Sequence, residues 1–90
     1  MAWASRRDRV NHSAPRLLWE QVAQDLAADI DSGELAPGSK LPTELELADL
    51  YGVARVTIRR AIKELTEHHL VTVIHGRGTF VSPVKRGLER

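Results

Sequence analysis

The sequence feature that most constrains the fold is a glycine-valine pair at positions 52 and 53, which separates two short amphipathic segments. The first segment opens with Thr43 and has Glu46 three residues later, the spacing of a capping box at a helix start. The second segment has an apolar stripe at helical spacing, formed by Ile58, Ala61, Ile62 and Leu65. The pattern predicts helices over about 43–50 and 54–68 joined by a tight turn, which is the helix-turn-helix arrangement.

A further helix is predicted upstream, over about residues 16–32. Its apolar stripe has helical spacing and consists of Leu18, Val22, Leu26 and Ile30. Pro15 suits the first turn of this helix, and Gly33 suits the left-handed residue at its end. The opposite face carries the acids Glu20, Asp25, Asp29 and Asp31. Because acids repel phosphate, this helix is expected to support the domain and to face away from nucleic acid.

A β-hairpin is predicted after the helix-turn-helix. Residues 70–74 are rich in β-branched side chains and form the first strand, residues 75–78 form a glycine-rich basic turn, and residues 79–82 form the second strand. A hairpin in this position is a wing. The predicted fold class is therefore mainly α with a small β-hairpin (α+β), a winged helix-turn-helix with three helices followed by a two-stranded wing.

The same pattern divides the chain into three parts. Residues 1–15 are polar and arginine-rich and are expected to form a flexible basic N-terminal arm. This arm is either a free tail or a source of additional phosphate or minor-groove contacts. Residues 16–82 form the winged helix-turn-helix domain, and residues 83–90 form a basic C-terminal tail.

Charge is unevenly distributed along the chain, although the net charge is only +1. Residues 1–16 carry four arginines and one aspartate, or +3, and residues 17–54 carry one lysine and eight acids, or −7. Residues 55–90 carry eight lysines and arginines and three glutamates, or +5. Such segregation lets a chain present a basic face to a polyanion, but on charge alone an ordinary solvated surface is an equal alternative.

The composition also excludes several classes of protein. The 90 residues contain no cysteine, so disulfides and thiolate zinc sites are absent. No apolar run approaches the roughly 20 residues that span a bilayer, and the polar N-terminus lacks the apolar stretch of a signal peptide. We therefore expect a cytoplasmic protein with no membrane partner.

The exposed face of the second helix of the helix-turn-helix is the main candidate site. The residues predicted to contact DNA from this helix are Arg55, Val56, Thr57, Arg59, Arg60 and Lys63. Arg55, Arg59 and Lys63 recur every four residues and therefore lie on nearly one face. An arginine can bond bidentately to guanine O6 and N7, and Thr57 near the helix start can bond a phosphate. For this helix taken alone, a solvated basic surface is the alternative.

The predicted wing tip is a second candidate site. His75, Gly76 and Arg77 form a compact loop rich in hydrogen-bond donors, with no bulky side chain to obstruct close approach of the backbone. Such a tip suits minor-groove or phosphate contact, although glycines in a hairpin turn also serve simply to adopt positive φ. Thr43 completes the set of predicted DNA-binding residues.

These motifs, in this order and spacing, resemble the N-terminal domain of GntR-family transcriptional regulators over residues 18–82. The matching residues are Gly33-Glu34-Leu35 with Pro37-Gly38, Leu41-Pro42-Thr43-Glu44, Leu47-Ala48, Gly52-Val53 with Arg55, Thr57, Ile58 and Arg59, Ala61 with Leu65, and Gly76-Arg77-Gly78-Thr79-Phe80-Val81. The resemblance implies a bacterial regulator that binds a palindromic double-stranded operator, usually as a homodimer. It also implies that Arg55 and Arg59 touch DNA and that His75 and Gly76 enter the minor groove.

The chain departs from the family pattern at three positions. Ala54 replaces the usual serine or threonine, so the second helix of the helix-turn-helix lacks a side-chain N-cap, which costs about 1 kcal/mol of stability. Leu45 stands where some members have a DNA-contacting arginine, so that contact is expected to be absent. His69 replaces a glycine, and histidine tolerates a left-handed conformation better than most residues, at some strain.

Family members normally continue into an effector-binding or dimerising domain, whereas here only a few residues follow the wing. The chain is therefore either a natural stand-alone winged helix or the excised domain of a longer regulator. We expect two copies on DNA, while the isolated domain could be monomeric in solution.

Other functions have less support from the residues. No serine, histidine and acid pattern indicates a nucleophile, so no enzymatic activity is expected. His68 and His69 follow Glu67, but adjacent side chains on a helix point apart, so neither a metal nor a cofactor is expected. The open alternatives are a winged helix used for protein–protein interaction and a non-specific nucleic-acid binder, including an RNA binder.

Overall fold

Three helices and a hairpin follow one another in the computed structural model, which describes residues 3–14 and 16–83. After a short 3₁₀ turn at Arg7–Arg9, the elements are α1 (Leu18–Ser32), α2 (Glu44–Tyr51), α3 (Arg55–Glu67), β1 (Val71–Ile74) and β2 (Gly78–Val81). The predicted fold class is confirmed. Pro15, and all of the predicted C-terminal tail except Pro83, lie outside the described residues.

The ends of the helices follow local signals in the sequence. Gly33 and Gly52 end α1 and α2 with left-handed φ angles of 89° and 69°. The capping box at the start of α2 is complete, since the Glu46 N–H donates to Thr43 Oγ1 over 3.1 Å and the Thr43 N–H donates to Glu46 Oε1 over 2.8 Å. α1 begins at Leu18, slightly later than predicted.

The core holds α3 between the other two helices, because α3 packs against both α1 and α2. Its largest fully buried side chains are Tyr51, Leu26, Leu47, Ile58, Leu65, Val22 and Val81. The predicted apolar stripe of α3 therefore faces inward and leaves the opposite, basic face in solvent. In the described part of the chain, no helix is both long and apolar enough to span a membrane.

The wing is an antiparallel pair in which Val71 lies opposite Val81. The segment that precedes α2 runs along the other edge of β2, where Lys40 forms a bridge with Phe80. There the Val81 N–H donates to the Ser39 carbonyl over 2.8 Å. These bonds tie the start of the helix-turn-helix to the base of the wing and so fix the position of the wing relative to α2.

The N-terminal segment, defined here as residues 3–14, packs on the domain in the structure, whereas composition alone led us to expect a flexible arm. Val10 is 6% exposed and Arg6 is 7% exposed. The Arg6 N–H also donates to the Leu50 carbonyl over 2.8 Å. The physical reason lies on the acidic face of α1, where Asp25 and Asp29 pair with Arg6 instead of remaining in water.

Candidate nucleic-acid interface

The exposed side of α3 brings together most of the predicted site residues. The side chains of Arg55, Arg59 and Lys63 are 57%, 63% and 71% exposed. Val56 is a large apolar residue that is nonetheless 62% exposed. Ile58 holds the other side of α3 in the core. The N-terminal half of α3 therefore offers a basic face with an apolar residue in it, open to a partner.

Two arginines of this face share one carboxylate. Arg55 Nη2 donates to Glu44 Oε1 over 3.1 Å, and Arg59 Nε donates to Glu44 Oε2 over 2.9 Å. The hydrogen bond from Arg59, reinforced by that from Arg55, holds the pKa of Glu44 below its ordinary value, because both bonds favour the carboxylate over the acid. The bond to Glu44 likewise raises the pKa of Arg59. Two guanidinium groups against one carboxylate leave one positive charge uncompensated.

The remaining predicted residues of α3 have different surroundings. The Arg60 guanidinium lies over the Trp19 ring of α1, 4.4 Å from the ring centroid, in a cation–π contact. Lys63 Nζ lies 3.6 Å from Glu67 Oε2, one turn further along α3. Thr57 is half-buried in the first turn of α3. Arg60 is thus set at the junction of α1 and α3, apart from the Arg55 and Arg59 pair.

The wing tip is an exposed tight turn. The Arg77 N–H donates to the Ile74 carbonyl over 2.9 Å, which closes the turn. Gly76 has a φ of 78°, a conformation that glycine adopts without the strain a Cβ would bring. His75, Gly76 and Arg77 are all exposed. The predicted tip residues are therefore presented together at the end of the hairpin.

A cleft of about 600 Å³ lies between the two parts of the site. Arg59 of α3 and His75 of the wing both line it, over an apolar floor that includes Leu47 and Ile62. The basic face of α3 and the wing tip therefore border one continuous surface. Thr43 is exposed next to this cleft, but its hydroxyl already accepts the capping hydrogen bond.

The three departures from the resembled pattern each have a structural expression. Ala54 provides no side-chain cap for α3. His69 adopts a φ of 62°, the left-handed conformation expected of the glycine it replaces. Leu45 is 60% exposed on α2, where it lines a surface depression together with Arg55.

The histidines after α3 do not form a metal site in the part of the chain that the structure describes, where no cluster of three or more potential His, Cys, Asp or Glu ligands occurs. His68 Nε2 instead lies 3.0 Å from Glu64 Oε2, one turn back along α3. This contact is local to the C-terminal end of α3.

Sequence reasoning missed the partner of the two central arginines. Glu44 was recognised only as part of a motif at the start of α2, whereas the structure makes it the acceptor for both Arg55 and Arg59. The eleven and fifteen residues that separate these partners span two helices, so no local periodicity links them. The available signal was Glu44, an acidic residue next to the capping Thr43 at the start of α2, together with the arginines in the first turns of α3.

Three helices, a basic recognition face and a basic-tipped wing on one surface define a winged helix-turn-helix domain. The family model described as "Bacterial regulatory proteins, gntR family" matches residues 18–81. The chain belongs to this family. Since the family comprises regulatory proteins, this membership agrees with the expectation that the chain is not an enzyme.

Curated relatives support the same assignment. The chain is 38% identical over 76 residues to the HTH-type transcriptional repressor NagR of Bacillus subtilis, covering 84% of this chain and 31% of the relative. It is 44% identical over 64 residues to the mannosyl-D-glycerate transport/metabolism system repressor MngR of Escherichia coli, covering 71% of this chain and 27% of the relative. The chain therefore spans about a third or less of the length of these relatives.

Solved structures share the fold. The DNA-binding domain of AraR in complex with operator ORE1 is 41% identical with a TM-score of 0.69, over 71% of this chain and 78% of that chain. A GntR family transcriptional regulator from Listeria monocytogenes is 30% identical with a TM-score of 0.77, over 86% of this chain and 66% of that chain.

Proposed function

We propose that this chain is the operator-reading domain of a bacterial transcriptional repressor. In this proposal it binds double-stranded DNA in the cytoplasm with α3 in the major groove and the wing in the minor groove. The observation that carries the proposal is the pair of exposed guanidinium groups that Glu44 holds side by side at the start of α3. Two relatives that are named repressors, and the operator complex of a domain with the same fold, support it.

Arg55 and Arg59 are the base-reading residues of the proposal. The N-terminal part of a recognition helix enters the major groove, and arginine there can bond guanine O6 and N7 together. Glu44 acts as a positioning residue, because its two oxygens restrict both side chains to one arrangement before DNA arrives. Val56 suits contact with a thymine methyl group, since it is apolar and exposed in the same turn.

The other predicted residues serve as anchors. Thr57, Thr43 and Lys63 would bind phosphates on either side of the groove, and these contacts carry no base preference. Arg60 would contribute at most a peripheral phosphate contact, because its guanidinium is engaged with Trp19.

The wing has a separate role in the proposal. His75, Gly76 and Arg77 would enter the minor groove, where the bare backbone at Gly76 permits close approach. Arg77 adds a cation suited to the negative potential of a narrow minor groove.

Two copies on an inverted repeat are also part of the proposal, because a short domain with one recognition helix reads only a half-site. Contacts between the copies would come from DNA-directed pairing of this domain or from parts of a longer regulator. We therefore expect dimeric occupancy on DNA even where the isolated domain is monomeric in solution.

The deciding experiment is selection of bound sequences from a random duplex pool at near-physiological salt, with the natural chain and with Arg59→Ala. An enriched inverted repeat that becomes degenerate in the variant supports base reading by α3. Lys63→Ala is the matched control, and it should weaken binding to all sequences alike. Salt-sensitive binding without enrichment would reduce the domain to a non-specific anchor, and no binding to duplex DNA would favour a protein-interaction module instead.

A further inference from the structure

The N-terminal segment is held against the domain at one buried point. Arg6 Nη1 donates to Asp25 Oδ2 over 2.8 Å, and Arg6 Nη2 lies 2.7 Å from Asp29 Oδ2. The Arg6 guanidinium also lies 4.3 Å from the centroid of the Trp3 ring and donates to the Tyr51 hydroxyl over 3.2 Å. These contacts fix the backbone of the residue that follows.

That following residue, Arg7, lies against the turn of the helix-turn-helix. Its guanidinium contacts Gly52 so closely that a Cβ at Gly52 would collide with it. His12 Nε2, from the same segment, lies 3.1 Å from the Gly52 carbonyl oxygen. Arg7 also shares a surface depression with Arg55, the first residue of α3. The segment therefore places an additional guanidinium beside the start of the recognition helix.

Arg7 differs from its neighbours in its charge environment. Arg6 and Arg9 each pair with Asp25 and Asp29, whereas Arg7 is exposed and forms no ion pair with a carboxylate in the described ranges 3–14 and 16–83. Asp49 borders the same depression without pairing with it. The positive charge of Arg7 is therefore available to an external anion.

We propose that Arg7 binds a DNA phosphate at the rim of the groove that α3 enters, which makes the N-terminal segment a third DNA-contacting element beside α3 and the wing. The inference rests on the proposed function. The major groove is about 12 Å wide, so a cation next to the first turn of an inserted helix lies close to the phosphate chain along its edge. The matched family model begins at residue 18, so this contact lies outside the segment it covers.

The test measures the salt dependence of binding to a short mixed-sequence duplex with the full 90-residue chain. Each phosphate contact contributes about 0.9 to the slope of log affinity against log salt, measured between about 50 and 200 mM salt. Arg7→Gln should therefore reduce the magnitude of this slope by about 0.9 and weaken binding to all duplexes equally. The urea midpoint should stay unchanged, because the side chain is exposed.

Arg9→Gln is the matched control, since it removes the same charge from the same segment but from a side chain already paired with two aspartates. Its slope should equal that of the natural chain. An unchanged slope for Arg7→Gln, or an equal reduction for both variants, overturns the inference while leaving the proposed function intact. If the natural chain itself shows no salt-sensitive binding, both the inference and the proposed function fail.

Discussion

Two pairs of arginines in this domain meet acids in different ways. Arg6 and Arg9 face two aspartates of α1, and the Arg6 side chain is only 8% exposed. Arg55 and Arg59 face the single carboxylate of Glu44, and their side chains are 57% and 63% exposed. The first pair is balanced in charge and partly buried, whereas the second is exposed and carries an excess positive charge.

The buried arginine behaves as a structural group. Burial alone would lower the pKa of Arg6, but its hydrogen bonds to Tyr51 and Asp29 raise it above the ordinary value, so the group stays charged. Burial, together with the hydrogen bond to Asp25, raises the pKa of Tyr51, which keeps the hydroxyl protonated as a donor. A cluster with all its partners satisfied has little left to offer a ligand.

The exposed pair, Arg55 and Arg59, contributes little to folding and remains available to a ligand. An ion pair in solvent contributes little to stability, so the cost of exchanging Glu44 for a phosphate or a guanine edge is small. A charge of the same kind thus serves folding on one side of the domain and is available for recognition on the other. What separates the two roles is the number of acids at each place and their access to water.

The largest expected effect tests this division through stability. Arg6→Met should lower the free energy of unfolding by about 3 kcal/mol, because it removes the buried cation from two partly buried aspartates and leaves them the more exposed Arg9 in its place. Arg59→Met should leave the midpoint of urea unfolding close to that of the natural chain. Equal losses of stability in the two variants would abolish the distinction between the two pairs.

An intermediate effect is expected at the helix ends. Ala54→Ser should raise the free energy of unfolding by about 1 kcal/mol, because it supplies the missing side-chain cap of α3. Thr43→Ala should lower it by about 1 kcal/mol, because it removes the existing cap of α2. Urea unfolding of both variants measures the contrast, and a neutral result for Ala54→Ser would mean that the α3 terminus is already satisfied.

The smallest effect concerns pH. Because the folded chain lowers the pKa of Glu44 below its ordinary value of 4.5, its ion pairs stabilise the fold above that value, and the contribution is lost as the pH falls through the lowered pKa. The stability difference between the natural chain and Glu44→Gln should therefore be constant from about pH 7 to 5 and shrink by about pH 3. A difference that grows on acidification would contradict the assigned pairing.

Prediction from the sequence succeeded where the signals are local. Thr43 with Glu46 predicted the start of α2, Gly52 predicted its end, and His69 was expected in the left-handed conformation that it adopts. These features depend on backbone geometry within a few residues, which neighbouring side chains set directly. The exposed face of α3 followed in the same way, from the period of its apolar stripe.

The arginine-rich beginning of the chain shows where this reasoning ended. Composition alone predicted a flexible arm, and nothing in the local sequence assigns different roles to Arg6, Arg7 and Arg9. The structure separates them, because α1 brings Asp25 and Asp29 within reach of the first and the third.

The sequence by itself determined the winged helix-turn-helix fold, the family and the basic face of α3, since these depend on periodicity, caps and turn residues close together in the chain. Only the tertiary structure decided which carboxylate pairs with which arginine. Ion pairs such as Glu44 with Arg59, or Asp29 with Arg6, join residues fifteen or more positions apart, and only the crossing of packed helices brings them within hydrogen-bond distance.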